Sequence, residues 1–321
     1  MKEIKFYIGA NMGNFDTKVE GECGKDKFKS LCIPNYVNLI SSESYKEDDS
    51  LIRIDGRVFK MGSGEMMNGT IKDRSKEKIQ ALTLYSVVRQ LERRKGMEEI
   101  DRVNVYLCVG LPIKDYKKKD NIEYYKSLFD KAFKVEYRNF DLEIYFENVN
   151  VVPEGYCYYM ANSSKYENNN NVIIIDFGSE TIDVVRIKHG KAENPNSIEY
   201  MGTLNLIKRI QERIDSEEEF KPSKEQVDEM LVDGIVKVGK KILNKKNYID
   251  IIEGYYNDVH ISLKNEFNDI EMAEKIIAFG GGMYQIGKYL EDRMKNADIE
   301  RFDEPEYINA SSYFKLSFKS E

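Results

Sequence analysis

A run of apolar, β-branched residues, Val172 to Ile175, ends in a carboxylate, Asp176. The chain then turns on Phe177, Gly178 and Ser179, and Thr181 to Ile187 returns as a second strand. Residues of this kind build a buried strand. A carboxylate at its end can hold a hydrated Mg²⁺, and the N–H groups of a tight turn can point at phosphate oxygens. Gly178 permits close backbone approach, and the hydroxyls of Ser179 and Thr181 add donors. One such hairpin also closes many ordinary proteins, so its weight depends on its company.

That company exists. Residues 5–21, KFYIGANMGNFDTKVEG, repeat the plan: a strand, a polar residue, a glycine turn and a returning strand. Asn11, Gly13 and Thr17 take the places of Asp176, Gly178 and, shifted by one, Thr181; Lys18 follows. A third element lies at 274–290, where a strand, Lys275 to Phe279, runs into Gly280, Gly281 and Gly282 before a helical pattern. Three glycines let the backbone pass flat against a ligand and leave N–H groups free at a helix start.

The elements that must position these loops alternate between strand and helix periods. Residues 3–10, 15–21 and 27–34 read as a meander, and Asp55-Gly56 as a hairpin turn within 50–62. Residues 103–109 read as a buried strand, and 134–149 as one or two more. Helical spacing runs through 76–94, 120–132, 202–214, 224–243, 248–267 and 309–318. Glycines 62, 64 and 69 shape a loop before the first helix, Asp73 or Ser75 caps it, and Gly96 stops it. Pro153 is expected to open a helix at its first position, with Glu154 in the first turn.

With 321 residues the chain is long enough for two domains. It is 33% charged with a formal net charge of −7, an acidic balance that argues against general nucleic-acid affinity. The basic run Lys117 to Lys119 is flanked by Asp115 and Asp120 and reads as a solvated helix entry. No apolar run approaches the ~20 residues needed to span a membrane, and the N-terminus runs straight into a strand, so no signal peptide is expected. Cys23, Cys32, Cys108 and Cys157 show no metal-binding or disulfide spacing and suit a reducing cytoplasm. His189 and His260 are isolated, which disfavours a triad or a histidine metal site.

Loop, loop and glycine turn, in this order and spacing, resemble the actin-like ATPases, the superfamily of actin, sugar kinases and DnaK-type chaperones. Residues 7–18, with Asn11, Gly13, Asn14, Thr17 and Lys18, look like its first phosphate loop. Residues 172–183 look like the second, and 278–286 like the adenosine loop. VYLCVGLPIKDY at 105–116 resembles the first connecting segment. VVPEGYCYYM at 151–160 resembles the segment carrying the hydrolytic carboxylate of plasmid-partitioning actins, and EPEYINASSYFK at 304–315 the closing segment of ParM-type proteins. The resemblance covers essentially the whole chain.

It implies an α/β, two-domain actin-like (ribonuclease H-like) fold with a nucleotide cleft between the halves. Domain I would be residues 1–152, with an outer subdomain at about 34–75, completed by 303–321; domain II would be 153–302. The cofactors implied are ATP (or GTP) and Mg²⁺. Asp176 and Asn11 would serve the metal, Glu154 would orient the hydrolytic water with Asp176 as its catalytic partner, and Gly280, Gly281 and Gly282 would lie against the adenosine. Asn11 stands where family members usually carry Asp; it keeps the shape and loses a charge, so altered metal dependence or slow turnover is expected. The function implied is a cytoplasmic filament former, assembling head to tail, that moves plasmid DNA through a DNA-binding adaptor. A small-molecule (sugar-type) kinase and a non-polymerising nucleotide-gated module are the alternatives. The absence of a peptide-binding domain after residue 321 argues against a chaperone.

Overall fold

A computed structural model of the chain describes residues 2–13, 16–24, 26–41, 48–63, 65–66, 75–94 and 99–318. Of the residues singled out above, Asn14, Gly64, Gly69, Asp73 and Gly96 lie outside the described residues. The chain forms two compact units, Met1–Ser163 with Tyr307–Glu321, and Ser164–Glu306. They part at Ser163/Ser164 and at Glu306/Tyr307.

The first unit comprises β1 (Glu3–Met12), β2 (Asp16–Cys23), β3 (Asp26–Pro34), β4 (Tyr36–Ile40), β5 (Leu51–Ile54), β6 (Arg57–Met61), β7 (Glu65–Met66), α1 (Lys76–Leu91), β8 (Arg102–Leu111), α2 (Ile113–Tyr116), α3 (Lys119–Ser127), β9 (Phe133–Tyr137), β10 (Phe140–Pro153) and α4 (Tyr156–Asn162). The second comprises β11 (Asn171–Phe177), β12 (Thr181–Lys188), β13 (Lys191–Glu199), α5 (Thr203–Glu218), α6 (Lys224–Asp233), β14 (Ile235–Val238), β15 (Lys241–Asn244), α7 (Ile249–Glu266), β16 (Lys275–Phe279), α8 (Met283–Arg293) and β17 (Ile299–Glu300). The last helix, α9 (Ile308–Ser317), returns to the first unit.

The two units share one plan. In the first, an antiparallel meander β3-β2-β1 continues through β8 and β10, both parallel to β1 and to each other. In the second, the meander β13-β12-β11 continues through the parallel strands β16 and β17. The repeat seen in the loop sequences is therefore a repeat of sheet topology. In the first unit the same sheet extends further, through β9, β5, β6, β4 and β7. Strands covered on both faces read as continuous apolar runs. Val172, Ile173, Ile174 and Ile175 are accordingly all fully buried.

In the first unit, α1 covers one face of β1: Phe6, Ile8 and Ala10 join Ile79 and Leu82 in the core. The helix buries polar groups too, but Gln90 Nε2 donates to the Val19 carbonyl at 3.3 Å and Ser86 Oγ to the Leu82 carbonyl at 2.7 Å. On the other face α9 lies so close that a Cβ on Gly9 would stand 2.2 Å from the Phe314 nitrogen and 2.4 Å from the Ala310 carbonyl oxygen. Ser311 Oγ donates to the Glu20 carboxylate on neighbouring β2.

Two expectations fail for physical reasons. Pro153 does not open a helix; it is the last residue of β10, in register with Leu111. The helix starts three residues later, at Tyr156. The helical pattern at 224–243 breaks at Gly234 (φ 86°) and becomes a hairpin, β14 and β15, turning at Gly239 (φ 61°). Positive φ at both glycines is a conformation that ends a helix and builds a tight turn. Lys241, in that hairpin, pairs with Glu218 at 2.7 Å.

Among the described residues, no helix is long and apolar enough to cross a membrane. The four cysteines are free thiols; burial pushes the Cys108 thiol well above its ordinary range.

Gly9→Ala is expected to destabilise the first unit by about 1–3 kcal/mol, the usual cost of overpacking, because the atoms it meets are backbone. Thermal and urea unfolding should both fall; an unchanged midpoint would mean that α9 does not bear on β1 as described.

Candidate functional site

Both glycine hairpins close in the same way. Gly13 N–H donates to the Asp16 carbonyl at 3.1 Å, and Gly178 N–H to the Thr181 carbonyl at 3.0 Å. The register therefore aligns Asn11 with Asp176, Gly13 with Gly178, and Asp16 with Thr181. Across the ladder Asn11 faces Lys18, and Asp176 faces Asp183. Opposed residues share a face of the sheet.

This alignment corrects the sequence reading of Thr17. Placing it one residue out of step with Thr181 places it on the opposite face, because side chains alternate along a strand. Thr17 is fully buried; its hydroxyl donates to Asn35 Oδ1 at 2.6 Å, and Asn35 Nδ2 donates to the Gly13 carbonyl. Thr17 thus ties the hairpin turn down from the core side. Asn11, Gly13 and Lys18 remain on or beside the partly exposed face, with Lys18 Nζ 3.5 Å from the Asp16 carboxylate. Asn14 lies outside the described residues.

In the second unit the structure brings the predicted residues together. Asp176 is 6% exposed, and a Cβ on Gly280 would stand 2.4 Å from its Oδ1 and 2.5 Å from the Phe177 carbonyl oxygen. Gly280 has φ 93°, so a side chain is excluded there by conformation as well as by space. Gly282 N–H donates to that Phe177 carbonyl at 2.9 Å, and Gly280 N–H to the Pro305 carbonyl at 2.9 Å. The start of α5 is joined on as well: Thr203 N–H donates to Gly178 at 3.2 Å and Leu204 N–H to Ser179 at 2.8 Å. The hairpin carbonyls therefore cap the helix. Among the described residues, neither Ser179 nor Glu180 donates its N–H to a backbone carbonyl.

Asp183 is the residue that the sequence reading missed. It is 3% exposed, directly opposite Asp176, and accepts from Thr181 Oγ1 at 3.4 Å and from Ser197 Oγ on β13. The signal was present: seven residues after Asp176, across a four-residue turn, a two-strand register must return to the same face. Among the described residues, no three carboxylates, cysteines or histidines converge on one point. Two carboxylates with hydroxyl neighbours suit a hard cation that retains most of its water. The donor set therefore fits Mg²⁺ held largely through water.

Glu154 follows β10 in the first unit. Its N–H donates to the Leu111 carbonyl at 2.8 Å, which carries the ladder one step past Pro153. A Cβ on Gly110 would stand 2.9 Å from Glu154 Cγ. Asn11, Gly110 and Glu154 thus stand at the carboxyl ends of three adjacent parallel strands, and Asp176 and Gly280 at the carboxyl ends of two more. Ligands of open α/β sheets bind outside these ends.

Residues 9–156 match the family model for the N-terminal domain of actin-like proteins, and residues 174–292 match that for the C-terminal domain of archaeal, MreB-like actin homologues. The chain belongs to the actin-like proteins. A crystal structure of an archaeal actin homologue superposes with a TM-score of 0.79 at 18% identity, covering 99% of this chain and 100% of the other. The same homologue in complex with ADP gives a TM-score of 0.74 at 20% identity, with 99% and 100% covered. A 15-stranded ParM filament from Clostridium botulinum gives 0.74 at 17%, again covering 99% and 100%. No curated protein matches the chain by sequence. The actin-like chain has the two-domain α/β fold that its loops implied.

Gly280→Ala is expected to push the Asp176 carboxylate from its position. Its stability should fall by about 1–3 kcal/mol, and nucleotide affinity, measured by fluorescent-nucleotide titration, should fall with it. Wild-type affinity in this variant would separate Asp176 from nucleotide binding.

Proposed function

We propose that this actin-like chain is a ParM-type ATPase: a cytoplasmic protein that polymerises head to tail with ATP (or GTP) and Mg²⁺ and hydrolyses the nucleotide. Its filaments, multi-stranded, segregate plasmid DNA through a DNA-binding adaptor. The observation that carries the reading is the pair of equivalent glycine hairpins, one ending in Asp176 packed against Gly280. The ADP bound by the archaeal homologue and the filament of the clostridial relative support it.

In this reading the two hairpin turns bind the β- and γ-phosphates of one nucleotide. Gly13 and Gly178, whose own N–H groups close the turns, leave room for the phosphates. The N–H groups of the residues after them, Asn14 and Ser179, donate, and Lys18 and Thr181 supply side-chain donors. Asp176, with Asp183 opposite, holds the hydrated metal; Mg²⁺, when bound, supplies charge neutralisation on the phosphate oxygens. Asn11 contributes a neutral oxygen. Glu154 orients the attacking water as a general base. Gly280, Gly281 and Gly282 lie against the adenosine. Catalysis is positioning and charge stabilisation, the usual division of labour in phosphoryl transfer.

High-speed pelleting with Mg²⁺ and ATP, GTP, ADP or no nucleotide tests the function directly. Pelleting with a triphosphate alone is expected; nucleotide binding with no pelleting under any condition would favour the kinase or the monomeric module. Glu154→Ala should assemble normally while phosphate release falls by about 10²-fold or more. Asn11→Asp restores the missing charge, and should speed hydrolysis and lower the Mg²⁺ concentration for half-maximal activity. Identical rates and Mg²⁺ titrations would remove Asn11 from the metal site.

A further inference from the structure

The turn that carries Glu154 is unusual. Gly155 has φ 71° and ψ −62°, and Tyr156 N–H donates to the Glu154 carbonyl at 2.7 Å. These values describe a γ-turn of the hand that needs a residue without a Cβ, and glycine adopts it readily. The γ-turn occupies the carbonyl of Glu154 and the N–H of Tyr156, leaving the buried N–H of Gly155 to be satisfied elsewhere.

Its partner comes from the far end of the chain. Asn309, in the first turn of α9, is 5% exposed, and its Oδ1 accepts from Gly155 N–H at 3.4 Å, the long end of a hydrogen bond, and from Cys157 Sγ at 3.2 Å. A buried Asn on a helix whose neighbours Ala310, Tyr313 and Phe314 are packed into the first unit needs such partners. Tyr313, one turn on, brings its hydroxyl to the spot where a Gly110 Cβ would be, beside Glu154 Cγ. At its other end α9 is tied to α4 by Lys315 Nζ, which donates to Asn162 Oδ1 at 3.0 Å.

We propose that Asn309 is a positioning residue for Glu154: it holds the γ-turn that aims the carboxylate. The proposal rests on the reading of Glu154 as the residue that orients the hydrolytic water. It assigns a purpose to the Asn-Ala pair of the closing segment. Ala310 is small where α9 crosses Gly9, and Asn309 reaches the turn. The end of the chain thereby sets the geometry of a residue 155 positions earlier in the sequence.

A double-mutant cycle tests it, using the full chain, ATP and Mg²⁺. Asn309→Ala is expected to lower the hydrolysis rate at saturating nucleotide by about tenfold or more, with nucleotide affinity unchanged. In a Glu154→Gln background the same change should lower the rate no further, because residues acting as a unit are not additive. If the two losses multiply, Asn309 does not act through Glu154 and the proposal is overturned, while Glu154 keeps its role. Unimpaired hydrolysis by Glu154→Gln alone would overturn both. Hydrogen exchange gives a readout independent of activity: amides at 151–158 should exchange faster in Asn309→Ala, and unchanged exchange there also overturns the proposal. Should Asn309→Ala fail to fold, Asn309→Ser, whose hydroxyl ends short of the turn, carries the same cycle and the same expectations.

Discussion

A strand covered on both faces can carry polar chemistry only at its end, and this constraint governs both units. The central strands β1 and β11 are apolar where helices pack on them and become polar where the carboxyl end emerges. Asp176 comes directly after four fully buried residues, and Asn11 directly after the buried Ala10. A glycine follows two residues later in each case, because the chain must reverse at once to form the next strand. The candidate site is thus a consequence of where a buried parallel sheet stops.

Within each hairpin the two-residue period then sorts the side chains. Lys18 and Asp183 occupy the same register position in their respective units, opposite Asn11 and Asp176. One topology consequently offers a cation in the first unit and a second carboxylate in the other. The residues one step away, Thr17 and Ile182, both point into a core and are fully buried. A hydroxyl next to a phosphate-type loop is no donor to a ligand when the pleat turns it inward; in Thr17 it fastens the turn instead.

Small residues determine how closely the C-terminal helix can approach. Gly9 and Gly110 leave no room for a Cβ beneath Ala310, Phe314 and Tyr313. Buried Cys108 and Cys157 fill the same small cluster with Val152, Tyr313 and Leu316. The end of the chain is therefore an internal part of the first unit's sheet packing and meets the strand ends where Glu154 stands.

Much of this was legible in the sequence because it depends on local pattern. Apolar β-branched runs, glycine turns, their repetition and the triple glycine identified the strands, the two hairpins and the actin-like fold, since a buried strand and a tight turn each require particular residue types. The bounds of α7 and α9 followed from helical periodicity for the same reason. Decisions that depended on a distant partner were not legible. Pro153 has a local preference for a helix start, but pairing with Leu111 kept it in a strand. Residues 235–244 carry helical spacing, but two positive-φ glycines made them a hairpin. The loss of Thr17 to Asn35, the return of Asp183 opposite Asp176, and the grip of Asn309 on the turn after Glu154 were likewise decided by register and long-range packing. Sequence alone determined which residue types could do chemistry and where the chain could turn; tertiary structure decided which of them share a face, because a one-residue step along a strand reverses it.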